Sequence, residues 1–234
     1  MRFGVIGSGS WGTALVKLLT DNGHLVHWTV RSPEMASHIR KRSHNPNYLQ
    51  SAHFDISLLD INTDPLNTLD ACDCIVIATP SAYVSSVLKE ANISDFAGKK
   101  IVSAVKGILP EGNLLMNEYL LNVFGLPLDH YFTIMGPCHA EEIATEKLSY
   151  LTFSGTTENA TTEIAAFFEG PNLKTVINTD IMGVQYAGVL KNIYALGAGI
   201  AHGLDYGDNF LSVFIANAAD EMACFLRMAG NTNM

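Results

Sequence analysis

The residues best suited to chemistry stand near the beginning of the chain. Three glycines occur in the run Gly7-Ser8-Gly9-Ser10-Trp11-Gly12, directly after the apolar stretch Phe3-Gly4-Val5-Ile6. Glycines at this spacing allow a tight turn, let the backbone approach a pyrophosphate group, and let the following helix pack closely on the strand. The helix N-terminus adds partial positive charge. The pattern predicts a dinucleotide-binding loop, with an ordinary strand-to-helix turn as the alternative.

The end of the second predicted strand bears on which dinucleotide is bound. In sites that prefer NAD, an acidic residue at this point binds the ribose hydroxyls. This chain has Trp28-Thr29-Val30-Arg31-Ser32 there, without a carboxylate. Arg31 suits a 2′-phosphate, so NADPH should be accepted beside NADH. Stacking of Arg31 on the adenine, with or without that phosphate, is a nearly equal interpretation.

Two further segments are placed to bind an anion. Lys106 ends a predicted strand and precedes Gly107, so its ammonium group can reach the crevice beyond the carboxyl ends of the strands. The turn Gly136-Pro137-Cys138-His139-Ala140 joins a strand to a helix and offers backbone N–H groups. From position alone, an unremarkable surface lysine is an even alternative for Lys106.

Lys191 is the strongest candidate for acid–base chemistry. It is the only Lys or Arg between Lys174 and Arg227, and it lies in the apolar run Val189-Leu190-Lys191-Asn192-Ile193-Tyr194. A lysine is rarely buried without a partner or a task, and burial lowers its pKa towards neutrality. Asn192 adds a donor and an acceptor beside it. A lysine that extends out of a helix end is the alternative. With a nucleotide cofactor, an ionisable lysine indicates hydride transfer coupled to proton transfer.

The elements that must position these residues alternate along the chain. Short, nearly continuously apolar strands separated by helical segments predict a Rossmann-type, doubly wound, mainly parallel α/β domain over residues 1–179. The predicted strands are residues 2–6, 25–30, 61–63, 74–79, 100–105, 131–135, 150–153 and 175–177, and helical segments include residues 13–20, 82–90, 114–123, 140–146 and 161–168.

The pattern changes after residue 179. Residues 180–234 contain no strand signal and predict two helices, at residues 181–204 and 209–228. The first is apolar on every side, so we expect it to be buried all round. Two such helices cannot bury each other completely, so we expect them to begin an all-α substrate domain whose remainder is missing or whose surface is completed by another chain.

Composition limits the classes of function. The formal net charge of −9 argues against nucleic acid or an anionic membrane as a main partner. No apolar run is long enough for a membrane span, and we expect no secretory signal. Four cysteines are too few for a disulfide framework, and Cys72 and Cys74 are better read as buried hydrophobes than as a metal or redox pair. We expect a cytoplasmic protein without a metal site.

These motifs together resemble the bacterial NAD(P)-dependent glycerol-3-phosphate dehydrogenases, along the whole chain. The resemblance rests on Gly7-Ser8-Gly9-Ser10-Trp11-Gly12-Thr13-Ala14, Trp28 with Arg31, Asn45-Pro46-Asn47-Tyr48-Leu49, Ala78-Thr79-Pro80-Ser81, Lys106-Gly107-Ile108, Gly136-Pro137 and Gly188-Val189-Leu190-Lys191-Asn192.

The resemblance implies an oxidoreductase that interconverts sn-glycerol 3-phosphate and dihydroxyacetone phosphate with NADH or NADPH, for phospholipid synthesis. It also implies a homodimer when the chain is full length. The catalytic residue would be Lys191. The implied cofactor contacts are Gly7, Gly9, Ser10, Trp11, Gly12, Arg31, Tyr48, Lys106 and Ala140. The implied substrate contacts are Lys106, Gly136, Cys138, Lys191 and Asn192.

The chain departs from the family pattern in two places. Cys138 and His139 stand where most of the family has Ser and Phe. The helices that carry an Asp and an Arg-Asn pair in the family are not present, so we expect a fragment or an incomplete gene product whose own activity is in doubt. Two alternatives stay open: a related dehydrogenase of the β-hydroxyacid or ketopantoate type, and an inactive NAD(P)-binding module.

Overall fold

The computed structural model describes residues 1–229, and its central feature is one eight-stranded sheet. The strands are β1 (Phe3–Ile6), β2 (Val26–Thr29), β3 (Leu59–Asn62), β4 (Cys74–Ile77), β5 (Lys100–Ser103), β6 (Tyr131–Met135), β7 (Ser149–Ser154) and β8 (Leu173–Asn178). Their order across the sheet is β3-β2-β1-β4-β5-β6-β7-β8. Strands β1 to β6 are mutually parallel, β7 is antiparallel to β6, and β8 is parallel to β7. The predicted fold class is confirmed.

This strand order fixes where a ligand can bind. The chain runs from β1 outwards to β3 and then returns to the other side of β1 to continue through β4. The strand order therefore reverses between β1 and β4, and the loops on either side of that point diverge. In open parallel sheets, ligands bind in the crevice that opens there, beyond the carboxyl ends of the strands. The glycine run follows β1 and so lies at this crevice.

Ten helices connect or follow the strands in the described residues. They are α1 (Ser10–Asp21), α2 (Pro33–Arg42), α3 (Pro65–Ala71), α4 (Val84–Val87), α5 (Ile93–Phe96), α6 (Met116–Phe124), α7 (Ala140–Ala144), α8 (Glu158–Ala165), α9 (Ile181–Gly203) and α10 (Gly207–Met228). None of these helices combines the length and the apolar character that crossing a bilayer requires.

The helix predicted over residues 82–90 is shorter in the structure and is partly 3₁₀. The structure has a 3₁₀ turn at Ser81–Tyr83 followed by the single turn of α4. The hydroxyl of Ser86 donates a hydrogen bond to the Tyr83 carbonyl at 2.8 Å. Serine side chains that bond to nearby backbone compete with regular helix, and two serines occur in succession here.

Two hydrophobic clusters cover the two faces of the sheet. Strand β1 contributes to both, because Phe3 and Val5 point to one face and Ile6 points to the other. Cys72 and Cys74 lie within these clusters and are fully buried. Burial raises the pKa of Cys72 to about 11 and of Cys74 to about 12. Both cysteines are free, so their interpretation as buried hydrophobes is confirmed.

The expectation that the first C-terminal helix is buried on all sides is wrong. Helix α9 packs against β6 through its first two turns, where Gln185 accepts a hydrogen bond from the Tyr131 hydroxyl at 2.9 Å. Beyond those turns the helix leaves the sheet and packs mainly on α10. Ile193, Leu196 and Ile200 are 58%, 68% and 55% exposed. A helix this apolar is expected to be covered on all sides, but the described part of the chain covers it on one side only.

The predicted domain division after residue 179 falls between β8 and α9 and stays a prediction.

This exposed apolar face predicts self-association. Replacing Leu196 and Ile200 together with lysine should shift the chain towards monomers, because the apolar area that drives contact between copies is removed. Size-exclusion chromatography with light scattering measures the effect. Leu148, which is 61% exposed elsewhere on the molecule, is the matched site for a control lysine. A wild-type chain that is monomeric at every concentration would contradict the prediction.

Candidate functional site

The glycine run forms a turn so close to its neighbours that side chains cannot be accommodated at two of its positions. Gly7 has φ +128°, and a Cβ placed there would lie 2.5 Å from the Ala78 carbonyl oxygen. A Cβ on Gly12 would collide with the Gly7 carbonyl oxygen. A Cβ on Gly9, in contrast, would meet nothing within 4 Å. The first and third glycines are therefore required by packing, and the second faces open space.

Helix α1 begins at this open space. Gly9 is its N-cap residue and offers no side-chain cap to the first turn. The first N–H groups of a helix have no intrahelical acceptor, and together they attract negative charge. The turn therefore presents free N–H groups next to open space at Gly9, which suits a pyrophosphate.

Two buried side chains hold this turn from behind. The indole N–H of Trp28, on β2, donates to the Gly7 carbonyl at 2.9 Å. The amide of Asn45 donates to the Ser8 carbonyl at 3.1 Å. Neither role was inferred from the sequence, where Trp28 and Asn45 entered only as parts of matching segments. Hydrophobic periodicity cannot predict such contacts, since they join residues about 20 and 37 positions apart in the sequence.

Lys106 and Trp11 meet at the mouth of the site. The Lys106 ammonium lies 4.9 Å from the centre of the Trp11 ring, within the range of a cation–π interaction. Partial desolvation lowers the pKa of Lys106, and the positive charge of Lys191 lowers it further. Gly107 has φ +140°, and a Cβ there would lie 2.6 Å from the Ser81 hydroxyl oxygen. The chain after β5 can thus turn sharply at Gly107 and leave Lys106 over the crevice.

Lys191 lies near Lys106 but is not buried. The positive charge of Lys191 adds to desolvation in lowering the pKa of Lys106. Gly188, one helical turn before Lys191, packs against Met135 at the end of β6. Lys191 itself is solvent-exposed, as is Asn192. The expected desolvation of Lys191 by its apolar neighbours is therefore wrong for the described chain, because that part of α9 has left the sheet.

The turn after β6 is shaped by contacts with β7. Gly136 has φ +135°, and a Cβ there would lie 2.9 Å from the Tyr150 carbonyl oxygen. The Cys138 thiol is buried and donates to the same carbonyl at 2.7 Å. Burial raises the pKa of Cys138. The sulfur is thus engaged with the protein, so a bound anion would meet backbone groups of this turn. Ala140 opens α7 beside it and is also buried.

The remaining candidate residues, Arg31 and Tyr48, lie beside the glycine turn. Arg31 is exposed, and its backbone N–H donates to the Ser8 hydroxyl at 3.2 Å. Tyr48 is 40% exposed, and its N–H donates to the Asn45 side-chain oxygen at 3.3 Å. The structure therefore places Arg31 and Tyr48 beside the glycine turn, Lys106 over Trp11 of the same turn, Cys138 after β6, and Lys191 on α9.

The sequence matches family models over most of its length. Residues 2–161 match the N-terminal model of NAD-dependent glycerol-3-phosphate dehydrogenase, and residues 180–234 match the C-terminal model. The glycerol-3-phosphate dehydrogenase [NAD(P)+] of Pseudomonas fluorescens SBW25 is 36% identical over 221 residues, which are 94% of this chain and 64% of that protein. The protein of the same name from Bacillus pumilus is 34% identical, over 97% of this chain and 66% of its own.

Solved structures show the same fold. The glycerol-3-phosphate dehydrogenase of Coxiella burnetii superimposes with a TM-score of 0.87 at 24% identity, over 99% of this chain and 70% of its own. That of Plasmodium falciparum gives 0.86 at 23% identity, over 100% and 68%. The chain thus spans about two thirds of the length of the proteins it matches, and it belongs to the NAD-dependent glycerol-3-phosphate dehydrogenase family.

Proposed function

We propose that this chain interconverts dihydroxyacetone phosphate and sn-glycerol 3-phosphate with NADH or NADPH, and so supplies glycerol 3-phosphate for phospholipid synthesis. The observation that carries the proposal is the open glycine turn at the N-terminus of α1, with the Lys106 ammonium 4.9 Å from the centre of the Trp11 ring in the first turn of that helix. The curated relatives are named for this reaction. Family membership leaves the β-hydroxyacid and ketopantoate dehydrogenases without a supporting observation.

The residues present fit a dinucleotide. The space in front of Gly9 is a cradle that a side chain would fill, and the N-terminus of α1 faces it. Ser10, Trp11 and Gly12 form the first turn of α1 and would hold the pyrophosphate through their N–H groups. Arg31 and Tyr48 would contact the adenosine end, and Lys106 and Ala140 the nicotinamide half. When bound, the nicotinamide supplies or accepts a hydride at the substrate carbon.

The two lysines would have different roles toward the substrate. The Lys106 ammonium, fixed over Trp11, would attract the phosphate ester, with N–H groups of the turn at Gly136 and Cys138 beside it. Lys191 would donate a proton to the carbonyl oxygen during reduction and accept it from the hydroxyl group during oxidation, with Asn192 next to it. The repulsion between two ammonium groups favours a bound anion, because the anion's charge offsets both.

A cytoplasmic setting and a homodimer in a full-length form belong to the same proposal. Free cysteines in the described chain agree with a reducing compartment, and the exposed apolar residues of α9 offer a surface for assembly. Since the chain spans two thirds of its relatives, a cofactor-binding module without turnover is the second candidate function. Titration with NADH detects binding under both candidates, whereas turnover of dihydroxyacetone phosphate distinguishes them.

The first prediction here concerns cofactor choice. Wild type should bind NADH and NADPH with dissociation constants within about a hundredfold of each other, roughly 2.7 kcal/mol. Arg31→Asp should weaken NADPH binding more than NADH binding, because a carboxylate repels the 2′-phosphate. Fluorescence titration measures both constants. Arg42→Asp, which changes an exposed arginine at the end of α2, is the charge-matched control. Equal weakening of both cofactors by Arg31→Asp would contradict this role.

The second concerns the two lysines. Lys191→Met should lower kcat for dihydroxyacetone phosphate by on the order of 10²–10⁴-fold, the usual scale for a lost acid–base group. Lys106→Met should instead mainly raise KM, through lost attraction for the phosphate. Steady-state kinetics of the 234-residue chain measures both. If that chain lacks turnover, a chimera carrying the C-terminal third of the Pseudomonas fluorescens relative takes its place.

Lys174→Met removes an exposed lysine of β8 and should leave both constants unchanged. Near-normal kcat in Lys191→Met would remove the proton-transfer role from this helix. Turnover that is absent from both the chain and the chimera, with NADH still bound, would support the module without activity.

A further inference from the structure

A closed loop lies beside the glycine turn and carries Tyr48. It spans residues 43–54, between α2 and the 3₁₀ turn Ile56–Leu58. Its ends meet, because the Phe54 N–H donates to the Ser43 carbonyl at 2.8 Å. Ser43 itself is in the left-handed conformation, with φ 60°, which turns the chain out of α2. Without regular structure inside it, the loop depends on a few side chains for its position.

Asn45 is the side chain that ties this loop to the glycine turn. It is fully buried. Its amide N–H₂ group donates to the Ser8 carbonyl at 3.1 Å and to the Thr13 hydroxyl at 2.8 Å. Its oxygen accepts from the N–H groups of Asn47 at 3.0 Å and Tyr48 at 3.3 Å. A side-chain amide has two donors and two acceptor sites, so every one is used.

The four bonds divide into two pairs with different targets. The donated pair reaches the glycine turn and the first turns of α1, whereas the accepted pair holds the Asn47–Tyr48 turn of the loop. Asn45 is therefore a bridge between two surfaces that face the crevice. Because it is 0% exposed, it has no surface with which to touch a ligand.

A second attachment supports the same geometry. The Phe54 ring packs edge-on against Trp28 at 5.3 Å, and the Trp28 indole N–H bonds to the Gly7 carbonyl. The loop is thus fixed to the turn at its beginning through Asn45 and at its end through Trp28. The carbonyl oxygens of Gly7 and Ser8 both accept hydrogen bonds from buried side chains. The N–H groups of the turn therefore remain free to face the crevice.

We propose that Asn45 is a positioning residue for the dinucleotide: it holds the glycine turn and the Tyr48 loop in one arrangement, so that cofactor affinity depends on a side chain the cofactor never touches. Preorganised groups bind more tightly because their ordering is not lost from the binding free energy. The inference rests on the proposed cofactor. A purely structural role would lower the melting temperature of an Asn45 variant and leave its affinity unchanged while it is folded.

The experiment compares NADH dissociation constants at a temperature well below the unfolding of every variant, with folding verified by circular dichroism. Asn45→Ala should raise the constant at least about tenfold, the scale of losing roughly one well-made hydrogen bond. Thr13→Val removes only one acceptor of the same amide and keeps the side-chain shape, so it should raise the constant less. It also serves if Asn45→Ala does not fold.

Thr20→Val is the matched control. Thr20 is a second buried threonine of α1, and its hydroxyl bonds only within the helix, to the Val16 and Lys17 carbonyls. Its replacement should lower stability without changing NADH affinity. Folded Asn45→Ala and Thr13→Val that bind NADH like the wild type would overturn the inference and leave the proposed function intact. A wild-type chain that does not bind NADH would overturn both.

Discussion

The close approach of the turn after β1 to its neighbours is the constraint on which the rest of the site depends. The Gly7 backbone lies against the Ala78 carbonyl after β4, and the Gly12 backbone lies against Gly7. Any side chain at either position would separate α1 from β1 or β1 from β4. This packing brings the N-terminus of α1 to the point where the strand order reverses. The binding surface is therefore a consequence of tight backbone packing at the centre of the sheet.

Positive side chains lie at that surface, although the molecule as a whole carries a negative net charge. The chain has a net charge of −9, yet Arg31 lies beside the glycine turn and the Lys106 ammonium lies over Trp11 of that turn. The cation–π contact with Trp11 links the first turn of α1 to the end of β5. Net charge alone therefore says little about which small anions an acidic protein can bind.

The fold was largely predictable because strands and glycine turns leave local signals in the sequence. All eight strands were located, since a parallel sheet covered on both faces needs continuous apolar runs such as residues 74–77. The environment of Lys191 was not predictable: an apolar helix indicates burial, but what covers it is decided by other parts of the protein. The role of Asn45 was also not predictable, because its hydrogen-bond partners depend on how a loop without periodicity folds back onto α1. The roles of the individual site residues stay predictions.

Replacing Gly9 with alanine distinguishes a turn that binds a pyrophosphate from one that serves only packing. Gly9 has φ −75°, which alanine adopts readily, and its Cβ would meet no protein atom within 4 Å. We expect an unchanged melting temperature together with NADH affinity weakened by at least about tenfold, roughly 1.4 kcal/mol, because the methyl group would fill the space that the pyrophosphate needs. Titration of wild type and Gly9→Ala with NADH, beside their thermal unfolding curves, gives the answer. A Gly9→Ala protein that binds NADH as tightly as the wild type would show that the turn serves only the packing of the fold.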